Sequence, residues 1–265
     1  MPSVPIQTKD EFIGFIEDLE LTQDSVPQRE IIRESAFFPP DFDDLYRLYR
    51  LVRDFAVISA IEYGAGWSTV ALSKGIWENK KSFGPEYSMQ RNAHPFQLHS
   101  IDASKFFLNR AFQRVPIQYQ SVIKSKWATP KLITDLNQCV VLWFPPQRVD
   151  YDLIYIDGPD PEQVVREESD FPISTVYDLP IMGDLALFES YILPKTLILF
   201  DGRTANYRHL KRKLIRNWNY YSNVSEDYGI MLLDEEPLGE INKKHLDFRE
   251  MHSVSAIKNL ASWNI

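Results

Sequence analysis

The stretch that decides the fold runs from Val57 to Thr69 and reads VISAIEYGAGWST. It opens with a short apolar run rich in β-formers, which is typical of a strand buried on both faces of a parallel sheet. Gly64 and Gly66 then permit a tight turn and let a ligand approach the backbone closely. A serine and a threonine follow, as at many helix starts. The stretch therefore predicts a strand, a turn of the kind that holds nucleotide cofactors, and a helix.

Three side chains in this stretch separate the cofactor classes. A dinucleotide turn carries a third glycine and seats a pyrophosphate on the helix N-terminus. Thr69 stands where that glycine belongs, and the bulky Trp67 directly follows Gly66. Glu62, at the end of the strand, would repel a pyrophosphate but attract the ammonium group of an amino-acid-like ligand. An ordinary glycine turn without a ligand is the alternative at this point.

Composition narrows the class of protein. The chain has 265 residues, of which 44% are hydrophobic and 25% charged, as in ordinary globular proteins. Its formal net charge of -8 argues against a broad nucleic-acid surface. Cys139 is the single cysteine, and no signal peptide or apolar stretch long enough to span a membrane is visible. We expect one main domain in a reducing, cytoplasmic setting, with no nucleic-acid or membrane partner.

An N-terminal helical addition, residues 1–56, precedes the predicted sheet domain, residues 57–234, and residues 235–265 form a C-terminal tail. Helical spacing of apolar residues predicts helices from Lys9 to Leu21 and from Phe42 to Phe55. The acids at the start of the second helix suit capping and dipole compensation better than a metal site; they are Asp41, Asp43 and Asp44. The addition could pack on the sheet, cover the substrate or form a homo-oligomer.

The rest of the chain alternates between strand and helix patterns. The predicted strands are Gln97 to Ile101, Ile117 to Val122, Tyr151 to Ile156 and Thr196 to Phe200, with a late hairpin of Asn219 to Val224 and Gly229 to Leu233. An extra strand is predicted from Cys139 to Phe144, and helices from Ser104 to Gln113, Leu179 to Ile192, Tyr207 to Trp218 and near Ser253 to Leu260. Two insertions, residues 80–96 and 124–150, have no role that the pattern identifies.

An acid ends four of the predicted strands: Glu62, Asp102, Asp157 and Asp201. In an open parallel sheet, ligands bind outside the carboxyl ends of the strands, so these acids should gather at one edge. Asp102 could accept hydrogen bonds from both hydroxyls of a ribose, with simple capping of the next helix as the alternative. Four acids at this edge favour an enzyme that uses a cofactor.

These residues give the chain a resemblance to the class I S-adenosylmethionine-dependent methyltransferases. Glu62-x-Gly64-x-Gly66 looks like their motif I, and Ile156-Asp157-Gly158 and Asp201 match the ends of their fourth and fifth strands. The resemblance spans roughly Val57 to Asp234. It implies an α/β, Rossmann-like, doubly wound and mostly parallel seven-stranded sheet with an antiparallel last strand. It also implies S-adenosylmethionine as the cofactor, held by Glu62, Gly64, Gly66, Ser68, Asp102 and Asp157.

The strand ends Tyr-Ile-Asp-Gly and Phe-Asp-Gly look most like those of small-molecule and sugar O-methyltransferases. The resemblance thus implies methyl transfer to a hydroxyl of a small molecule such as a sugar or sugar conjugate. Asp157, Asp201 and His209 are the candidate catalytic residues, ahead of His94. Metal-dependent relatives carry a second acid or an amide where this chain has Gly202. The pattern therefore favours catalysis without a divalent metal, which is kept as the alternative.

Two other functions are alternatives to a methyltransferase. A nicotinamide-dependent oxidoreductase is disfavoured by Glu62 and Thr69, and a catalytically inactive binding or assembly module is disfavoured by the presence of both Glu62 and Asp102. Phe144-Pro145-Pro146 is not the Asn-Pro-Pro-Tyr type motif of nucleic-acid amino-methyltransferases, since its first residue is apolar. Aromatic residues that could line an acceptor pocket, or belong to the core, are Trp127, Trp143, Phe144 and Tyr177.

Overall fold

The computed structural model describes residues 4–23, 39–87, 95–135, 138–143, 150–158, 181–254 and 263. The helices are α1 (Lys9–Gln23), α2 (Phe42–Asp54), α3 (Trp67–Phe83), α4 (Lys105–Arg114), α5 (Ile117–Gln120), α6 (Asp184–Phe188), α7 (Thr204–Lys213) and α8 (Glu240–His252). The strands are β1 (Ser59–Tyr63), β2 (Gln97–Asp102), β3 (Ile123–Trp127), β4 (Lys131–Asp135), β5 (Gln138–Leu142), β6 (Leu153–Ile156), β7 (Ile181–Met182), β8 (Leu197–Asp201), β9 (Trp218–Asn223) and β10 (Tyr228–Leu233). Short 3-10 helices cover Gly84–Tyr87 and Glu189–Tyr191.

The main sheet has seven strands in the order β3-β2-β1-β6-β8-β10-β9. Parallel pairing joins β3, β2, β1, β6 and β8, whereas β10 runs antiparallel to both β8 and β9. This confirms the predicted doubly wound α/β sheet with an antiparallel last strand. The strand order reverses between β1 and β6, and the carboxyl end of such a switch point is where open α/β sheets bind ligands.

The central strands are buried along most of their length because helices cover both faces of the sheet. Every residue of β1 and β6 is buried, and four of the five residues of β8 are. One hydrophobic cluster joins one face to α1, α2, α3 and α8, and a second cluster joins the other face to α6, α7 and β7. The smaller sheet, in the order β4-β5-β7, contains the predicted extra strand as β5.

The predicted third strand, Ile117 to Val122, is wrong. Ile117–Gln120 forms the short helix α5 after Pro116, and β3 starts only at Ile123. The alternation of apolar and polar residues in this run suits a strand, yet Ile117 is 79% exposed and Tyr119 is the buried residue of α5. The φ angle of proline is compatible with a helix start, and local backbone geometry decides the element here.

The predicted helix from Leu179 to Ile192 is confirmed only in its second half, where a 3-10 helix, Glu189–Tyr191, follows α6. Ile181–Met182 pairs with β5 as β7, and α6 covers only Asp184–Phe188. The Asp184 carboxylate accepts a hydrogen bond from the backbone N–H of Trp143 at 2.9 Å. Pairing with a strand distant in the sequence therefore overrides the helical spacing.

The helix predicted from Tyr207 to Trp218 covers Thr204–Lys213 instead, and Trp218 is the first residue of β9. The tail helix predicted near Ser253 to Leu260 is found earlier, as Glu240–His252, and residues 255–262 lie outside the described ranges. The other predicted strands, including both strands of the late hairpin, are confirmed with small shifts at their ends.

The C-terminal helix α8 is anchored to the amino edge of the sheet by one buried carboxylate. Asp152, which directly precedes β6, accepts a hydrogen bond from the backbone N–H of Ile58 at 2.8 Å. Its Oδ1 lies 2.8 Å from His245 Nε2 and 3.2 Å from Arg249 Nη1. Burial opposes ionisation, but Arg249 and His245 outweigh it and lower the pKa of Asp152 to about 2. Further on, the Trp263 indole N–H donates to Asp54 Oδ2 at 3.0 Å.

Across the described stretches of the chain, no helix has the length and apolar character that crossing a bilayer requires.

We predict that Asp152→Asn lowers the free energy of unfolding by about 3 to 5 kcal/mol, because it leaves the buried guanidinium of Arg249 without its anionic partner. Urea unfolding at neutral pH measures the change. Asp247→Asn is the matched control, since Asp247 is exposed on the same helix. An Asp152→Asn protein as stable as the control would contradict the anchoring role.

The same carboxylate predicts a pH dependence. Because its pKa in the folded protein is about 2 and its ordinary value is 3.8, its stabilisation is complete above about pH 4 and is lost as the pH falls towards 2. The difference in stability between the native chain and Asp152→Asn should shrink over that range. A difference that stays constant from pH 5 to about pH 2 would show that Asp152 is not the titrating group.

Candidate functional site

The carboxyl ends of β1, β2, β6 and β8 meet at one edge of the sheet, as predicted. Neighbouring strands are in register there: Tyr63 pairs with Ile101 on one side and with Ile156 on the other, and Ile156 pairs with Phe200. The four predicted acids lie at or just beyond these ends. The elements of the sheet thus bring together residues that are far apart in the sequence.

Two glycines let the ends of β1 and β6 touch backbone to backbone. Gly64 has a φ of +99°, and a Cβ there would lie 3.0 Å from the backbone nitrogen of Gly158. A Cβ on Gly158 would in turn lie 3.1 Å from Gly64 Cα. The backbone N–H of Asp157 donates to the carbonyl of Tyr63 at 2.9 Å beside this contact. The close approach at Gly64 is therefore an approach by the protein's own chain.

Gly66 differs from Gly64 because a Cβ on it would meet no atom within 4 Å. Its backbone N–H donates to Thr69 Oγ1 at 3.2 Å, which closes the first turn of α3. Packing against the described residues does not require a glycine at this position. The turn presents open space at Gly66, beside the switch point between β1 and β6.

Glu62 lies completely enclosed beneath the start of α3. Its two carboxylate oxygens accept hydrogen bonds from the hydroxyls of Ser68 at 3.0 Å and Thr69 at 2.7 Å. Burial raises the pKa of Glu62 to about 7, against the opposing effect of these hydroxyls. The acid and the hydroxyls that follow the glycines thus form one buried unit. The predicted contact of Glu62 with a ligand ammonium group stays a prediction.

Asp102 joins the end of β2 to the glycine turn. Its Oδ2 accepts from the backbone N–H of Ala65 at 2.8 Å, and its Oδ1 accepts from the N–H of Ser104 at 2.6 Å. The cap of α4 is Ser104, whose hydroxyl accepts from the N–H of Phe107. Asp102 therefore shapes the turn that precedes the helix, and its predicted contact with a ribose stays a prediction.

Asp157 is the most open of the four acids, with 46% of its side chain exposed. Arg203, at the N-cap of α7, donates to the Asp157 carbonyl and places its Nη2 3.6 Å from Oδ1. Arg203 ties the end of β6 to the segment after β8. Sequence reasoning missed this arginine, and its place two residues after Asp201 was the only signal for it.

Asp201 is half-buried at the end of β8, beside the neighbouring strand β6. The Tyr155 hydroxyl donates to Asp201 Oδ2 at 3.0 Å. Burial raises the pKa of Asp201, and burial followed by the charge of Asp201 raises the pKa of Asp44 to about 6. Sequence reasoning assigned Asp44 only to the helix start.

Of the three acids at the start of α2, Asp41 is the cap. Its carboxylate accepts from the backbone N–H groups of Asp43 at 3.0 Å and Asp44 at 3.3 Å, as predicted. Asp43 is exposed and pairs with Lys9 at 2.6 Å. The three carboxyl groups therefore have three different surroundings within one helical turn.

The remaining predicted site residues are scattered. His209 is buried, with 1% exposure, in the packing of α7 against the sheet. Trp143 is core, 6.0 Å from the ring of Tyr63, whereas Trp127 is 48% exposed at the end of β3. His94, Phe144 and Tyr177 lie outside the described residues. In the described ranges, no three His, Cys, Asp or Glu side chains are grouped to hold a metal ion.

Neither a protein-family model nor a curated protein matches the sequence. Among solved structures, the chain is similar to the O-methyltransferase TomG from Streptomyces achromogenes in complex with SAM, with 10% identity, a TM-score of 0.44 and coverage of 86% of this chain and 100% of that chain. It is also similar to the O-methyltransferase from Bacillus cereus in complex with SAH, with 12% identity, a TM-score of 0.43 and coverage of 86% of this chain and 100% of that chain. The SAH-bound methyltransferase PaMTH1 of Podospora anserina is similar with 12% identity, a TM-score of 0.43 and coverage of 89% of this chain and 100% of that chain.

Proposed function

We propose that the chain is a class I S-adenosylmethionine-dependent methyltransferase that methylates a hydroxyl of a small molecule, with a sugar or sugar conjugate as the acceptor class. The observation that carries the proposal is the glycine turn at the switch point, where open space at Gly66 adjoins a row of acids. A side chain at Gly66 would fill that space, and the strand ends around it carry the polar groups. The acceptor class rests only on the resemblance of the strand ends.

The backbone donors of the turn favour this cofactor over a dinucleotide. A pyrophosphate site needs free N–H groups near the helix start. Here the N–H of Gly64 donates to the carbonyl of Ile101 at 2.9 Å, that of Ala65 to Asp102, and that of Gly66 to Thr69. Three donors of the turn are therefore already used within the chain. This argues against the nicotinamide-dependent oxidoreductase.

The charges at the edge suit a cationic ligand. Glu62, Asp102, Asp157 and Asp201 lie at adjacent strand ends, while Arg203 is bound to Asp157. S-adenosylmethionine supplies an electrophilic methyl group on a sulfonium, and its ammonium group adds a second positive centre. Carboxylates around the turn would attract both centres and disfavour a phosphate-bearing ligand.

The roles of the residues follow from their surroundings. Asp102 and the buried unit of Glu62, Ser68 and Thr69 hold the shape of the turn. Asp157, which is open to solvent and oriented by Arg203, is the contact to the reacting centre. Asp201 is the base: its carboxylate accepts the proton of the acceptor hydroxyl as that oxygen forms its new bond. Holding both partners in place and removing this proton account for most of the barrier in such a transfer.

We predict that Gly66→Val weakens binding of S-adenosylmethionine at least about tenfold without changing the melting temperature, because the new side chain fills space next to the turn. Gly14→Val is the matched control, since a Cβ on Gly14 also meets nothing within 4 Å but lies on α1. Isothermal titration calorimetry measures the affinity. Asp102→Ala should cost about 1 to 3 kcal/mol of binding if the carboxylate holds the ribose.

Gly64→Ala should behave in the opposite way, losing about 2 kcal/mol or more of stability because φ is positive and the methyl group meets the Gly158 backbone. Chemical unfolding separates this effect from that of Gly66→Val. If both Gly66→Val and Asp102→Ala bind S-adenosylmethionine like the native chain, the cofactor site is misplaced. Binding of a nicotinamide dinucleotide in its place would support the oxidoreductase.

We predict that turnover falls at least about a hundredfold in Asp201→Asn, since the amide cannot accept the acceptor's proton. The acceptor is sought first, by incubating the protein with a labelled methyl donor and an extract of its own source. Asp227→Asn is the control, because Asp227 is exposed on the hairpin near β8 and an asparagine suits its positive φ.

Turnover should also survive treatment with EDTA, because the proposed mechanism uses no metal ion. Loss of activity on chelation, restored by magnesium or manganese, would refute the metal-free mechanism and leave methyl transfer standing.

A further inference from the structure

The proposed base, Asp201, is hydrogen-bonded to a tyrosine of the neighbouring strand. The Tyr155 hydroxyl donates to Asp201 Oδ2 at 3.0 Å. In the register of β6 and β8, Tyr155 pairs with Leu199. Leu199 and Asp201 lie on the same face of β8, because side chains alternate between the two faces of a strand. The tyrosine side chain therefore reaches past one residue of β8 to the carboxylate at the end of that strand.

The surroundings of Tyr155 fix the position and the proton of its hydroxyl. The side chain is 2% exposed and belongs to the hydrophobic cluster that also contains Leu199. Moving the ring would displace closely packed neighbours. Burial raises the pKa of the hydroxyl well above its ordinary value, so the hydroxyl keeps its proton at physiological pH. Since an ionised carboxylate can only accept hydrogen bonds, Tyr155 is the donor and Asp201 the acceptor.

The backbone around Asp201 is fixed as well. Asp201 pairs with Tyr228 of β10 on the side away from β6. The N–H of Gly202 donates to the carbonyl of Asp227 at 2.9 Å, and Gly202 has a φ of +58°, which ends the strand directly after the acid. The hairpin thus holds the backbone of Asp201, and Tyr155 holds one of its carboxylate oxygens.

We propose that Tyr155 is a positioning residue for Asp201: its hydroxyl holds Oδ2, so that an ionised carboxylate meets the acceptor hydroxyl in one fixed orientation. The inference rests on the proposed function, in which Asp201 is the base. In the transfer, the acceptor oxygen gives its proton to Asp201 and bonds to the methyl carbon, while the electron pair of the broken sulfur–carbon bond stays on sulfur. Tyr155 keeps its proton throughout, and Asp201 returns its own to water after the product leaves.

The hydrogen bond has two effects on the base. A carboxylate in a fixed orientation takes the proton without first losing rotational freedom, and positioning of this kind accounts for much of the rate of an enzyme. A donor to the ionised form also favours ionisation. Burial raises the pKa of Asp201, and the Tyr155 hydroxyl opposes this effect. Removing the hydroxyl should therefore loosen the carboxylate and raise its pKa further.

Carboxyl-carbon NMR titration of aspartate-labelled protein tests the hydrogen bond without needing an acceptor. The Asp201 signal is assigned by its loss in Asp201→Asn. In Tyr155→Phe, which removes only the hydroxyl oxygen, the Asp201 midpoint should rise by about one pH unit, because the ionised carboxylate loses a donor. An Asp201 midpoint that Tyr155→Phe leaves in place would overturn the proposal.

Other charged and titratable groups lie around this hydrogen bond, and comparing two variants cancels their effects. These groups are Asp41, Asp44 and Arg47 from α2, Asp157 from the end of β6, and Glu226, Asp227 and Tyr228 from the hairpin. Tyr155→Phe removes none of them, so a shifted midpoint reports the hydroxyl alone.

Tyr87→Phe is the matched control. Tyr87 is also 2% exposed, and its hydroxyl lies 2.9 Å from His245 Nδ1 at the amino edge of the sheet. The control thus removes a buried hydrogen bond of nearly the same length at the opposite edge, and it should leave the Asp201 midpoint unchanged. A shift of equal size in Tyr87→Phe would overturn the proposal, because the effect would not be specific to Tyr155.

A measurement on the native chain keeps the test decisive if Tyr155→Phe fails to fold. Coupling between two sites is mutual, so in tyrosine-labelled protein the Cζ signal of Tyr155 should shift with the same midpoint as Asp201. This shift should disappear in Asp201→Asn. If no tyrosine Cζ signal shifts at the Asp201 midpoint, the proposal is wrong.

Kinetics give a second readout once an acceptor is known. In Tyr155→Phe, kcat should fall at least about tenfold, and the acidic limb of its pH profile should move to higher pH. KM and the affinity for S-adenosylmethionine should stay nearly unchanged, because the hydroxyl bonds to Asp201, on a different strand from the turn at Gly66. A merely structural role for Tyr155 would lower activity at every pH without moving the limb, and this outcome would overturn the proposal.

Failure of S-adenosylmethionine to bind the native chain would instead overturn the proposed function. The NMR titrations need no methyl donor, so they distinguish this failure from the absence of a positioning role for Tyr155.

Discussion

The site depends on one contact, the approach of two backbones at Gly64 and Gly158. Because neither residue has a side chain, the chain leaving β1 can turn within van der Waals distance of the chain leaving β6. This contact brings the first and the sixth strand ends together at the point where the strand order reverses. The open space at Gly66 and the acids at the strand ends lie beside that approach.

The four acids at the edge divide by the way in which their oxygens are satisfied. Glu62 and Asp102 use their oxygens on hydroxyls and backbone N–H groups of the turn, so they give the turn its shape. Asp157 and Asp201 remain more open and are oriented by Arg203 and Tyr155. The N–H groups of Gly64, Ala65 and Gly66 are also used within the protein, so these three donors are not available to a pyrophosphate. The same hydrogen bonds stabilise the turn and, under the proposed function, disfavour a pyrophosphate as its ligand.

Buried carboxyl groups have different surroundings at the two edges of the sheet. At the amino edge, Asp152 faces Arg249 and His245, and its pKa is held far below the ordinary value, so this carboxylate stabilises the fold. At the carboxyl edge, burial raises the pKa values of Asp44 and Asp201, and Arg47, which donates to Asp44, is shared with Glu226. A carboxyl group whose pKa is raised by folding lowers the stability of the protein at pH values above its ordinary pKa. Such groups are concentrated at functional sites. The contrast supports the proposed placement of the chemistry at the carboxyl edge.

Local sequence determined much of the architecture: the buried apolar strands, the glycine turn, the acids at strand ends and the antiparallel hairpin all follow from spacing and turn chemistry within short windows. It could not determine elements set by distant partners, so Ile117–Gln120 is a helix and Ile181–Met182 a strand. The partners of the acids were equally hidden, because Tyr155, Arg203 and Arg249 reach them across the fold from other elements. Only the tertiary structure decides which charges share a buried space, since that depends on how helices and strands pack and not on their order in the chain.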